Sequence, residues 1–298
     1  MSNNIKVGDR EYVIQEAYEW PLAIYLFFGG LSGALVSIGV VLQFLGLNKT
    51  VVVAAVISAI VSMAIAGAVL VLFELMRPFT AWRSLTNWKH SGISWDVLLV
   101  ALVIGGGLLF VLPLVIDLGA LTDFLAGIQI VTGILALIAG VLFPVISGGL
   151  LSAFNSVPLW HGPGLPTLMF TTSFSGAFSL LIILNSNNMN DNMLRTFWGA
   201  IFGLTVLVIL ISVSYLETVK NGSVEAQLGM RILKKNPIFV LGFVIIGLLV
   251  PAVIGGLLFF GSYASTMALI AAVSVLIGGW TLRHYLLKAG VHTYPWPY

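Results

Sequence analysis

The sequence contains no cysteine. Disulfide bonds within the chain are therefore excluded, and so are iron–sulfur clusters held by its own residues. Charge is also scarce: Asp, Glu, Lys and Arg make up 8% of the 298 residues, whereas 59% are hydrophobic and the mean hydropathy is +1.08. A water-soluble domain of this length needs far more polar residues to cover its surface. The sequence therefore predicts an integral membrane protein.

Histidine is rare as well. The four histidines are His90, His161, His284 and His292, and all lie in or beside polar segments. A bis-histidine haem needs two histidines facing each other on neighbouring helices, which these positions do not provide. No metal-binding motif, nucleotide fingerprint or nucleophile elbow is present, and no basic soluble domain suits nucleic acid. We expect no haem, iron–sulfur cluster or metal in this chain, and no nucleic-acid partner.

Long uncharged stretches predict the membrane spans, because about 20 apolar residues at a rise of about 1.5 Å each cross the hydrocarbon core. The run 124–190 is interrupted around Asn155, Pro158 and Gly162, and the run 236–282 at Gly261–Tyr263, so each predicts two helices. The stretches 20–48, 50–73, 97–116 and 196–216 predict one helix each. The result is an all-α protein with eight transmembrane helices and both termini on one side.

We divide the chain into a polar N-terminal arm (1–19), an eight-helix transmembrane domain (20–289) and a C-terminal tail (290–298). The arm is expected to be retained, because the first helix is too long for a signal-peptide core and no small-residue cleavage site follows it. Glycine-rich apolar runs with an internal proline recur at Pro113 and Pro251, four helices apart. This recurrence suggests two four-helix bundles.

Positive charge is concentrated on the side of the termini. By the predicted topology, Lys49 and Arg195 lie on the opposite side. Eleven cations lie on the side of the termini: Lys6, Arg10, Arg77, Arg83, Lys89, Lys220, Arg231, Lys234, Lys235, Arg283 and Lys288. Because basic loops stay in the cytoplasm, we expect both termini there, in the cell membrane. The alternative is that the basic face docks a partner and the protein faces the other way.

Several polar residues lie where the predicted helices meet the side of the termini. Tyr25 follows the start of the first helix, Glu74 ends the second, and Asp96 opens the third. A carboxylate near hydrocarbon costs roughly 2.5–3.5 kcal/mol at a helix centre and usually faces a partner or a cavity. Glu74 has a structural alternative, an ion pair with Arg77 on the same helix face. Tyr25 has one too, as an interfacial aromatic residue.

Four segments carry a distinctive sequence pattern: 20–34 (WPLAIYLFFGGLSGA), 74–83 (ELMRPFTAWR) leading to Ser94-Trp95, 147–151 (SGGLL) with Pro158-Leu159-Trp160, and 282–285 (LRHY) with Gly290. Together they resemble the NrfD/PsrC family of quinone-reactive membrane subunits. The segments occur in family order across almost the whole chain.

The resemblance implies a membrane subunit without redox cofactors of its own, rather than an enzyme alone. Such a subunit binds a quinone, either menaquinone or ubiquinone. It exchanges electrons with an iron–sulfur partner subunit, and through it with a catalytic subunit of the molybdopterin type. The resemblance places Tyr25 near the quinone and Glu74 at the acidic position that closes the second helix. The segment 146–148 lacks the tyrosine of the Tyr-x-Gly found in some relatives, so Ser147 or Asn155 is expected to supply that hydrogen bond.

Quinol oxidation releases protons as electrons leave, so a site needs hydrogen-bond partners for the quinone oxygens and a titratable relay. An apolar slot between helices would hold the ring and its tail. We expect the quinone-binding residues to be Tyr25, Glu74, Ser147, Asn155 and His284, with Tyr25 and Glu74 in the catalytic role. The basic face at Arg77, Arg83, Lys89 and 220–235 is the expected docking surface for the iron–sulfur partner.

Two other functional classes stay open. A secondary transporter suits the Gly- and Pro-interrupted helices, although the sequence shows no charge deep in the membrane to couple an ion. An inert membrane anchor for a soluble complex would need only the basic face. Of the three classes, only the redox subunit is expected to bind a quinone. The residues leave open the terminal substrate, the quinone type, the direction of electron flow, proton translocation and the oligomeric state.

Overall fold

The computed structural model describes residues 4–7, 10–16, 18, 20–74, 92–117, 119–162, 164–261 and 265–293. Within this part of the chain, eight helices are long and apolar enough to cross a membrane. A short antiparallel hairpin, β1 (Asn4–Val7) and β2 (Arg10–Val13), precedes them. The fold confirms the all-α, eight-helix membrane protein predicted from the sequence.

The helices follow the predicted order. The first six spans are α1 (Trp20–Phe44), α2 (Lys49–Val69, extended by a π-helical turn at Leu70–Glu74), α3 (Gly92–Val115), α4 (Ala120–Ser152), α5 (Leu165–Asn185) and α6 (Asp191–Lys220). After α7 (Val224–Lys235), the seventh span, Pro237–Phe260, comprises α8 (Pro237–Phe239), a π-helical segment (Val240–Leu249) and α9 (Val250–Phe260). The last span is α10 (Ser265–Lys288). The turn predicted after Phe260 begins at Gly261, and its Ser262 and Tyr263 lie outside the described residues.

Some helices extend past the uncharged stretches from which they were predicted. α3 begins before Asp96, and α6 runs from Asp191 past Arg195 to Lys220. Charged side chains near helix ends can reach the membrane boundary, so the helix continues through them. The uncharged stretches are therefore shorter than the helices that contain them.

α7 is a short amphipathic helix within the segment 220–235, for which the sequence predicted only a charged surface. Ser223 caps its N-terminus, and two lysines lie in its last turn, where the helix dipole favours cations. Its apolar face packs Leu228 against Tyr12 of the N-terminal arm and Val291 near the C-terminus. The helix was missed because its apolar residues are too few and too dispersed for a spanning segment.

Within the described chain, the spanning helices pack in two groups. α1 to α4 form the first group, and α5, α6, the seventh span and α10 form the second. α1 and α4 join them, because α1 packs against α5 and α10 as well as against α2 and α4, and α4 packs against α5. In its most apolar stretch 78% of the residues are buried, against 22% for α6. This packing matches the two four-helix bundles that the sequence suggested.

α1 and α4 approach each other at backbone distance through glycine. A Cβ atom at Gly33 would lie 2.5 Å from the carbonyl oxygen of Gly140, and one at Gly29 would lie 2.6 Å from the ring of Phe143. Neither position has room for a side chain. Small residues permit such contacts between membrane helices, whose association depends on packing rather than on the hydrophobic effect.

Arg283 is buried inside the helix bundle, with 1% of its surface exposed. Its Nε donates to the Leu26 carbonyl of α1 at 3.1 Å, and its Nη2 donates to the Ser173 hydroxyl of α5 at 2.8 Å. The Phe27 ring lies 5.7 Å from the guanidinium carbon. Arg283 was counted with the cations on the side of the termini, but its side chain turns inward and links α1, α5 and α10, so it adds no charge to the surface there.

The two ends of the chain meet on one side of the bundle. Ile14 forms a β-bridge with Val291, and the Gln15 side chain donates to the Leu287 carbonyl at 2.7 Å. At the opposite end, the Asn48 side chain donates to the Asn188 carbonyl at 2.7 Å. The termini therefore share one side, as an even number of spans requires. The division at residues 19 and 289 stays a prediction, as does the cytoplasmic location of the termini.

Single cysteines test that orientation, because the native sequence has none. Asn188 is exposed at the end away from the termini, and Asn221 is exposed between α6 and α7. If the termini are cytoplasmic, Asn188→Cys should react with a membrane-impermeant maleimide on intact cells, and Asn221→Cys only after lysis. The reverse labelling pattern would place both termini outside the cytoplasm.

The interior position of Arg283 predicts a structural cost on its removal. Arg283→Leu should lower the free energy of unfolding by about 1–3 kcal/mol, because hydrogen bonds from a charged donor to three helices are lost. A lower thermal midpoint (Tm) of the purified protein would show this. Lys288→Leu, a change to an exposed cation at the end of the same helix, serves as the control and should leave Tm nearly unchanged. An equal Tm for Arg283→Leu and the native protein would contradict the structural role.

Candidate functional site

Tyr25, Asp96 and Ser147 meet in the protein interior, although they come from three different helices. The Tyr25 hydroxyl donates a hydrogen bond to Oδ2 of Asp96. The Ser147 hydroxyl donates to the other carboxylate oxygen, Oδ1, at 2.9 Å. The exposed fractions are 7% for Tyr25, 7% for Asp96 and 5% for Ser147. We call these three residues the Tyr–Asp–Ser cluster.

The local sequence explains why the cluster forms. Phe143 packs edge-on against Tyr25, with ring centroids 5.8 Å apart, and Gly29 leaves the space that the Phe143 ring needs. Ser147 follows Phe143 by one helical turn and therefore lies on the same face of α4. Asp96 enters from the first turns of α3, which packs against α4. The three helices thus point one aromatic hydroxyl, one carboxyl and one aliphatic hydroxyl at a common point.

Asp96 is held by hydroxyl groups rather than by a cation. Within the described residues, no Lys, Arg or His nitrogen lies within 4.0 Å of its carboxylate. A buried carboxylate is costly unless its oxygens are hydrogen-bonded, and here each oxygen has a donor. Hydroxyl groups both donate and accept, so Tyr25 and Ser147 can bind this side chain in its ionised or protonated form. The cluster is therefore suited to accepting and releasing a proton.

Two of the predicted site residues, Tyr25 and Ser147, are brought together by the structure. Asp96 joins them although it was not among the predicted site residues. The signal for it was present in the sequence, since a carboxylate near the start of an apolar helix usually faces a partner. Glu74 ends the π-helical turn that closes α2, and its side chain lies outside the described residues. Asn155 is exposed in the connection between α4 and α5.

His284 lies in a different place from the Tyr–Asp–Ser cluster. It lines a cavity of about 390 Å³ together with Glu16, Trp20 and Lys288. Its ring stacks on Trp280, with ring centroids 5.7 Å apart. The cavity lies between the N-terminal arm, the start of α1 and the end of α10, so its polar groups face the side of the termini.

The described residues contain no group of three or more His, Asp or Glu side chains that could hold a metal ion. The chemistry that this part of the protein offers is hydrogen bonding and proton transfer. The Tyr–Asp–Ser cluster combines three exchangeable groups with the aromatic ring of Phe143, and all four side chains are buried. Such a combination suits a ring-shaped ligand whose oxygens gain or lose protons.

Comparison with known proteins identifies the family. The family described as polysulphide reductase, NrfD, matches residues 11–295. The C subunit of polysulfide reductase from Wolinella succinogenes is 28% identical, over 95% of this protein and 97% of that subunit. Protein NrfD of Escherichia coli is 27% identical, over 92% of this protein and 94% of the relative. Protein NrfD homolog of Haemophilus influenzae is 23% identical over the same shares. The resemblance read from the sequence is thereby confirmed, and the protein belongs to the NrfD polysulphide reductase family.

Proposed function

We propose that this protein is the membrane subunit of a respiratory oxidoreductase complex and that it binds a quinone or quinol at the Tyr–Asp–Ser cluster. The observation that carries the proposal is a buried carboxylate held on both oxygens by hydroxyl groups from two other helices. The Wolinella succinogenes relative is named as one polypeptide of polysulfide reductase, which supports the role of a subunit in a larger enzyme.

The donor set fits a quinone. Quinone oxygens accept hydrogen bonds and quinol hydroxyls donate them, and the hydroxyls of Tyr25 and Ser147 can do both. Phe143 supplies an aromatic surface beside Tyr25. A bound quinol supplies electrons and protons. Tyr25 orients the ring oxygen through its hydroxyl, and Asp96 accepts a proton at the carboxylate oxygen that Tyr25 contacts. Ser147 keeps its hydrogen bond to the other oxygen, so the carboxyl group stays in place through the transfer.

The proton then needs a route to water on the side of the termini. Glu74 is our candidate for this step, because it ends the second span on that side and the family resemblance implies an acidic residue there. Trp20 and Phe73, whose rings lie 5.0 Å apart, join the start of α1 to the last turn before Glu74. Asn155 and His284 are left out of the ring-binding residues, since one is exposed in a loop and the other lines a separate cavity.

Electrons must leave through another protein, because the sequence has no cysteine to ligate a cluster. We propose an iron–sulfur partner subunit on the side of the termini, which passes electrons to or from a molybdopterin-type catalytic subunit. The Tyr–Asp–Ser cluster belongs to spans that begin or end on this side. Tyr25 lies five residues after the start of α1, Asp96 four residues after the start of α3 and Ser147 five residues before the end of α4, so the cluster is close to that side.

Conservative substitutions in the cluster test the quinone site. Asp96→Asn and Tyr25→Phe keep the shape of the side chains but remove an ionisable group or a hydroxyl. Each should lower quinol-linked turnover of the complex by about 100-fold, the lower range for loss of a positioned acid or base, while activity with a soluble dye is spared. Asp123→Asn, which changes an exposed carboxylate at the opposite end, is the matched control.

Two results would contradict this assignment. Full quinol-linked turnover in Asp96→Asn and Tyr25→Phe would remove the cluster from the quinone site. An equal loss of the quinol-linked and the dye-linked activity would show that the substitutions damage assembly instead.

Charge reversal tests the docking surface at Arg77, Arg83 and Lys89, which lie outside the described residues. Replacing all three by Glu should release the iron–sulfur subunit during purification, and more completely at low salt, where the new repulsion is least screened. Lys49→Glu, on the opposite side, is the control, and this variant should retain the iron–sulfur subunit. Retention of the partner by the triple variant would refute docking at this segment.

A further inference from the structure

Two adjoining cavities lie in the second helix group, and no residue of the Tyr–Asp–Ser cluster lines either of them. One, of about 290 Å³, runs between α6, the seventh span and α10 and is lined almost entirely by apolar side chains. The other, of about 420 Å³, lies between the end of α6 and α7. Both are lined by Val213, Leu216, Met230 and Lys234. The two cavities therefore adjoin, and we call the pair the α6–α7 groove.

We call the cavity between the end of α6 and α7 the upper half of the groove, and this half is basic. Lys220, Arg231 and Lys234 line it, against a single acidic lining residue, Glu217. Glu217 lies 3.7 Å from Lys220, and both side chains are well exposed, so this pair is weak. In the described part of the protein, no carboxylate lies within 4.0 Å of Arg231 or Lys234. Two cations at the mouth of the groove thus lack an acidic partner.

Contacts within the protein fix the two elements that carry the basic residues, the turn after α6 and the helix α7. The Gln227 side chain donates to the carbonyls of Lys220 and Gly222, at 3.2 and 3.1 Å, and so fixes the turn between α6 and α7. The buried Leu228 anchors α7 to the N- and C-terminal segments. Arg231 and Lys234 follow on the same helix, three residues apart and therefore on one face. The cations are presented from a fixed turn and a packed helix.

The lower half lies within the spanning segments. Phe243, Leu248 and Leu282 line it, and each belongs to a helix that crosses the membrane. The groove thus changes from basic at the helix ends to apolar inside the span. A phospholipid has the same order, with phosphate at the boundary and acyl chains in the hydrocarbon. Basic pockets between transmembrane helices suit anionic headgroups. A free phosphate ion or a soluble protein would use only the basic half.

We infer that the α6–α7 groove binds an anionic glycerophospholipid, with its phosphate against Arg231, Lys234 and Lys220 and an acyl chain along the apolar half. The site is separate from the proposed quinone site and does not depend on it. It also assigns Lys220, Arg231 and Lys234 to lipid rather than to the docking surface predicted from the sequence. The lipid belongs to the leaflet on the side of the termini.

Native mass spectrometry of the purified complex, with lipid added, tests the inference. The probes are dioleoyl phosphatidylglycerol, dioleoyl phosphatidylcholine and inorganic phosphate. We expect the native protein to retain phosphatidylglycerol in preference to phosphatidylcholine. The double variant Arg231→Gln with Lys234→Gln should bind phosphatidylglycerol roughly tenfold more weakly, since each basic residue near an anionic headgroup contributes to binding. Lys235→Gln is the matched control, an exposed cation of α7 outside both linings.

A second pair of variants tests the apolar half. Leu216→Trp should fill the part that the two cavities share and reduce lipid retention. Leu210→Trp, on the same helix but 61% exposed and outside the lining, should not. The double variant Arg231→Lys with Lys234→Arg keeps both positive charges and should bind phosphatidylglycerol as the native protein does. That result would show that weaker binding by the glutamine variant comes from lost charge and not from misfolding.

Each of four results would overturn the inference. Equal retention of both phospholipids would show that charge plays no part. Complete displacement of phosphatidylglycerol by inorganic phosphate, with no effect of Leu216→Trp, would reduce the groove to an anion site. Native-like lipid binding by the glutamine variant would remove the cations from the site. Release of a protein partner by that variant, with lipid binding intact, would make α7 a protein-docking surface.

Discussion

The close contact of α1 with α4 at Gly33 and Gly140 sets the geometry on which the proposed site depends. The two helices run in opposite directions, so residues before Gly33 and residues after Gly140 lie toward the same membrane boundary. Tyr25 precedes Gly33 by eight residues and Ser147 follows Gly140 by seven. At about 1.5 Å per residue, both are about 11 Å from the contact. A side chain at either glycine would push the two helices apart. Tyr25 and Ser147 would then also move apart.

The interior also shows how this protein accommodates charge in a membrane without pairing it. Asp96 is bound by two hydroxyl groups, and Arg283 by carbonyls and the Ser173 hydroxyl. Neutral partners of this kind compensate part of the cost of burial. The hydroxyl groups on Asp96 can donate or accept and so leave its charge state open, whereas the carbonyls around Arg283 only accept. For Asp96 that freedom is what proton transfer needs. For Arg283, whose donors reach three helices, the same chemistry gives a structural link beside Leu26, the neighbour of Tyr25.

The eight spans, their order and the shared side of the termini could be predicted from the sequence, because hydrophobic length is a local property. Tyr25 and Ser147 were found through the family resemblance. Asp96 was missed as a site residue because its partners lie 71 and 51 residues away, and only packing brings them together. The burial of Arg283 was not predicted for a related reason, since a count of cations does not show which side chains turn inward. α7 lacks the apolar length by which membrane helices are recognised.

The two helix groups differ in what they present on the side of the termini. The first group directs polar side chains inward, toward the point where α1, α3 and α4 converge. The second directs cations outward, at the α6–α7 groove. The N-terminal arm spans both, since Tyr12 packs on α7 and Gln15 is bound to the end of α10 just before α1 begins. A lipid that holds α7 in place would therefore also steady the arm from which α1 starts. The arm that packs on α7 therefore leads directly into the helix that carries Tyr25, five residues after its start.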